Sequence, residues 1–230
     1  MVNSQHPPLY QTLGEVAGIW LVATLGYYTV LPALGFSLSY NSAPFIIAGY
    51  FFIWFLIAMT GFKDVLSSLL FENRLWVYAA TILAAGILVP ALLVQVAQLA
   101  TPYGVDVSSY SDLFFATPWY FLPKVTDILL QQTLIAVIVL ALAEHIRSVR
   151  NVALTYAVLF GVPHVVLFAL SGASFAYATI MTASAFASAA IFPHLILKVR
   201  NGFVYTFVLH LLFYFVLVLS IQTWPPIHTI

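Results

Sequence analysis

Residues 121–143 read FLPKVTDILLQQTLIAVIVLALA. Roughly 20 apolar residues span a bilayer as a helix, so this stretch is long enough to cross one. It places Lys124, Asp127 and Gln131 at spacings of three and four, on one helical face, with Gln132 beside them. Polar groups at membrane depth are costly and turn towards the inside of a bundle. An apolar run carrying one polar stripe therefore predicts a packed transmembrane helix. The strict alternation of a barrel strand is absent.

Six further apolar segments flank it, at about 12–36, 44–62, 75–99, 152–170, 173–193 and 203–223. Together they predict an all-α, polytopic transmembrane bundle of about seven spans, folded as a single domain over residues 1–230. Composition excludes a soluble globule. Charged residues make up 6% and hydrophobic residues 63%, with a mean hydropathy of +1.05; soluble domains are about a quarter charged. The environment implied is a lipid bilayer. The formal net charge is zero, so the basic patch that a nucleic-acid partner requires is missing. With no cysteine there is no disulfide, thiolate metal site or cysteine nucleophile.

Six of the seven Lys and Arg residues fall in three short stretches: Lys63 and Arg74, Arg147 and Arg150, Lys198 and Arg200. These occupy every second loop. The positive-inside rule puts them in the cytoplasm of a cell membrane, with the N-terminus cytoplasmic and the C-terminus external. Residues 1–11 hold no Lys or Arg, so the first span is expected to be retained rather than removed as a signal. The loop 100–120 mixes Asp106 and Asp112 with Phe and Trp, and is expected along the outer interface.

Two later helices also carry stripes. Tyr156, Phe160 and His164 recur every four residues, and so do Thr206, His210 and Tyr214. Pro163 removes a backbone donor and leaves the Leu159 carbonyl open. Counted from the basic ends, Gln132, His164 and Tyr214 lie roughly 16–18 Å deep. Polar groups of three helices then share a level near the middle of the membrane. A blander account makes Lys124 and Asp127 an interfacial pair, the glutamines interhelical glue and His164 a packed residue beside a kink. His6, His145, His194 and His228 fall in or beside loops and tails and read as solvated.

The segment Phe160-Gly161-Val162-Pro163-His164 resembles the FxxxH motif of the CPBP family of membrane proteins, also called the Abi or CAAX prenyl protease family. His210-Leu211-Leu212-Phe213-Tyr214 is similar to its later HxxxN or HxxxD motif, and follows a charged turn, KVRNG. Where the family has EExxxR, this chain has Gln131, Gln132 and Ala136. The resemblance covers residues 121–223. It implies a membrane endopeptidase frame in which a glutamate and histidines activate water and a histidine and an asparagine hold the oxyanion.

This chain departs from that set at both glutamates, at the arginine and at Tyr214. A glutamine amide orients water but cannot take its proton. The expectation is a weakly active or inactive relative that binds a peptide or partner protein in a mid-membrane cavity through His164, His210, Gln131, Gln132 and Tyr214. The alternative is a small-molecule or ion carrier using the same stripes. No cofactor or metal is expected. Asp127 lies about a turn outward of the histidines, and the last helix has no lysine for a Schiff base.

Overall fold

The computed structural model describes residues 7–36, 38–69, 116, 118–170 and 175–223. The expected span 75–99 and most of the loop 100–120 lie outside the described residues. Within them all regular structure is helical. Six helices are long and apolar enough to cross a membrane. In chain order they are α1 (Leu9–Ala33), α2 (Pro44–Gly61), α3 (Phe121–His145), α4 (149–170), α5 (Phe175–Lys198) and α6 (Gly202–Thr223).

α3 is the centre. It packs most extensively on α2 and also touches α1, α4, α5 and α6. Its apolar window is 83% buried, against 17% for α1, α2 and α4. The exposed flanks of those three carry residues such as Leu21, Ile53 and Val158, which suits a lipid-facing surface. The helix with the longest polar stripe is thus the one most enclosed by protein. A bilayer demands that arrangement, because Lys124, Asp127 and Gln132 are shielded from hydrocarbon there.

α2 and α3 run parallel. Tyr40, just before α2, lies 5.4 Å from Tyr120 at the start of α3, centroid to centroid, and Phe45 lies 5.5 Å from Trp119. Further along, Thr133 reaches Met59 near the end of α2. Both helices therefore finish at the same end of the bundle. Lys63, in a one-turn helix after α2, shares that end with Arg147 and Arg150.

α5 corrects one boundary. The expected span stopped at 193, before His194, yet the helix continues through Pro193 to Lys198. Packing carries it on, since Phe192 and Ile196 on either side of the proline are both buried in the core. Burial of such side chains offsets the single backbone bond that proline removes. His194 is accordingly a helical residue, exposed on the flank of α5.

The turn from α5 to α6 is tight. Asn201 adopts a left-handed φ of 63°, which asparagine tolerates better than most residues. Gly202 lies against the Leu195 backbone so closely that a Cβ would overlap its carbonyl. Only glycine fits there.

Candidate functional site

The polar stripe of α3 is built into two connected clusters. The outer one centres on Asp127. Its Oδ2 accepts from Lys124 Nζ at 2.8 Å and from the Tyr40 hydroxyl at 3.1 Å. Its Oδ1 accepts from Gln131 Nε2 at 2.7 Å. Lys124 and Asp127 are both buried. Burial, and then the Asp127 charge, push the Tyr40 phenol well above the usual tyrosine range. Tyr40 therefore keeps its proton and remains a donor. The carboxylate holds three donors and is electrostatically matched, the condition under which a buried charge is tolerated.

The inner cluster involves α6. His210 Nδ1 lies 3.2 Å from Gln132 Oε1, so the ring N–H donates and the amide oxygen accepts. The His210 ring stacks on Tyr214 at 5.6 Å and 26°. The other side of the arrangement is closed by Lys124, whose ammonium sits 3.8 Å from the Tyr214 ring centroid. A cation at that distance from an aromatic face is attracted by its quadrupole. Tyr214 thus couples the outer ion pair to the inner histidine. Gln132 is fully buried, and its Nε2 has no hydrogen-bond partner among the described residues.

His164 approaches from α4. There the backbone makes a π-turn over Ala157–Gly161, and Pro163 follows it. A π-turn and a proline both disturb the regular bonding of carbonyls. His164 Nδ1 lies 2.7 Å from the Phe160 carbonyl and donates to it. That bond places the proton on Nδ1 and makes Nε2 the acceptor nitrogen. The ring packs on Phe160 at 4.6 Å, and Phe160 stacks on Tyr156 at 5.2 Å. His164 is half-buried. The Tyr156 hydroxyl is buried without hydrogen-bond geometry to any partner among the described residues. Ser188 is close to it, but the serine hydroxyl donates to the Ala185 carbonyl at 2.7 Å.

Of the five residues singled out in the sequence, Gln132, His210 and Tyr214 meet directly. Gln131 belongs to the Asp127 cluster instead. His164 stands on the neighbouring helix and bonds its own preceding turn. Tyr40 was missed, since it is 87 positions from Asp127 and lies in a connecting loop. Its one sequence signal is its place at the level of Lys124 and Asp127. Among the described residues no three His, Asp or Glu gather as metal ligands.

Among the described residues, fold and site define an all-helical bundle of membrane-spanning type with a hydrogen-bonded polar centre on its middle helix. No protein-family model, curated protein or solved structure matches this chain.

Proposed function

We propose that this membrane protein uses a CPBP-like helix frame to hold a peptide or partner segment at mid-membrane without cleaving it. The observation that carries the reading is Gln132 Nε2, a fully buried amide donor without a partner among the described residues, beside His210. Leaving such a donor unsatisfied costs about 1–3 kcal/mol, which a ligand carbonyl would recover. Hydrolysis additionally requires a base placed at the attacking water. The Asp127 carboxylate is committed to Lys124, Tyr40 and Gln131, and a glutamine stands beside His210.

The test uses purified protein in lipid nanodiscs and a library of membrane-tethered peptides bearing a photo-crosslinker. Wild type should retain peptides uncleaved, and Gln132→Leu should retain them at least several-fold less. Robust wild-type cleavage that His164→Ala abolishes would overturn the reading and make His164 a working base. Equal retention by wild type and Gln132→Leu would also overturn it.

Seven spans with the basic end in the cytoplasm belong to the same proposal. Its support is that α2 and α3 are parallel neighbours, which an odd number of crossings must separate; the segment 75–99 is apolar enough to supply one. Single cysteines placed at Ser67 and Ser148 should be shielded from an impermeant external reagent, and labelling of either from outside would reverse the orientation.

A further inference from the structure

Between α4 and α5, away from the polar centre, a groove of about 560 Å³ opens at the basic end of the bundle. Arg150 and His194 line it near the start of α4 and the end of α5, which makes that end its polar mouth. Its floor is alanine, with Ala153 and Ala157 on α4 and Ala190 on α5, and Phe186 stands at the deep end. From Arg150 to Ala157 the groove descends about 10 Å along the helix axis. The Phe186 ring also lies against Gly161 of α4; a Cβ on Gly161 would come within 2.7 Å of it.

We propose that this groove seats one anionic phospholipid, its phosphate on Arg150 and His194 and an acyl chain along the alanines. The division of the groove matches the division of a phospholipid. The cationic and hydrogen-bonding groups sit at the end where Lys63, Arg147, Lys198 and Arg200 also gather, which is headgroup level for a bundle of this length. The apolar part runs inward, parallel to the helices, as an acyl chain does. Arg150 is exposed and supplies a full positive charge with a fork of donors that fits phosphate oxygens. His194 adds a ring N–H. A partner transmembrane helix would fill the alanine floor but would leave the cationic mouth unmatched.

Native mass spectrometry of delipidated protein in micelles, titrated with phosphatidylglycerol or phosphatidylcholine of identical chains, tests the proposal. Wild type should retain one phosphatidylglycerol more tightly than phosphatidylcholine. Arg150→Gln should weaken it about fivefold, the effect of one basic side chain at a lipid surface. Ala157→Trp should fill the floor and reduce retention of either lipid, with the helical content and the monomeric state unchanged. Equal retention of the two lipids, or of phosphatidylglycerol by wild type and Arg150→Gln, would overturn the proposal. Displacement by glycerol phosphate as efficiently as by phosphatidylglycerol would show a free-phosphate site and overturn the lipid. Loss of a dimer in Ala157→Trp would show that a second copy covers the groove, and would overturn it too.

Discussion

Two helices of this bundle break regularity in the same way and mend it differently. α1 makes a π-turn over Gly26–Val30 and has Pro32 two residues beyond it; α4 makes one over Ala157–Gly161 and has Pro163 two residues beyond it. Each turn contains a glycine pressed by an aromatic ring from the next helix, Tyr50 against Gly26 and Phe186 against Gly161. In α1 the repair comes from outside, as the Tyr50 hydroxyl donates to the Ala23 carbonyl at 2.9 Å. In α4 it comes from the helix itself, through the His164 ring to Phe160. The first solution is a packed joint. The second fixes the tautomer of a histidine and so gives an irregular backbone a chemical outlet. The difference teaches that a kink acquires functional content from the residue that closes it, not from the proline.

The sharpest way to break the comparison is at α3, which stands between the two regions. Lys124→Met leaves Asp127 buried beside Tyr40 without its cation and should lower stability by about 3–5 kcal/mol in mixed-micelle unfolding. The double replacement Lys124→Met with Asp127→Leu should recover most of that loss. Equal losses in single and double variants would show that the ion pair does not tie the regions together.

A smaller effect separates the two glycines. Gly161→Ala should cost about 1–3 kcal/mol, since the Phe186 ring has to move as a whole. Gly26→Ala should cost about 1 kcal/mol, since only the far end of Tyr50 moves and one hydrogen bond is lost. Equal destabilisation in thermal melts would mean that the joints are built alike.

The smallest effect has opposite signs in the two regions. Tyr156→Phe removes a buried hydroxyl without a partner among the described residues and should leave stability unchanged or raise it by about 1 kcal/mol. Tyr27→Phe removes a hydroxyl that donates to the Leu38 carbonyl at 3.4 Å and should lower it by about 0.5 kcal/mol. A loss at Tyr156 would reveal a bond to Ser188.

The polar stripe of α3 was legible because Lys124, Asp127, Gln131 and Gln132 interrupt an otherwise apolar run, and bilayer physics gives such residues one direction to face. The same reasoning marked Pro163 as a place of open backbone. It pointed to the Leu159 carbonyl, while the structure adds a π-turn over Ala157–Gly161 and engages the Phe160 carbonyl, a backbone irregularity that has no one-residue signature in the sequence. Pro32 carries no such signal, because the four residues after it are Ala33, Leu34, Gly35 and Phe36. α5 ran past its expected end because Pro193 reads as a stop in one dimension and Ile196 is buried in three. Tyr40 stayed hidden because a contact across 87 positions leaves no local periodicity.

The close fit of Gly202 against Leu195 makes the α5–α6 turn a gauge. Each residue added there would rotate α6 by about 100° and advance it about 1.5 Å. One insertion would carry His210 off Gln132 and present another side chain to the centre of the bundle. An insertion of four would bring the same face back, about 6 Å out of step. The length of a three-residue connection therefore encodes which side chain meets Gln132, at a point remote from the meeting itself.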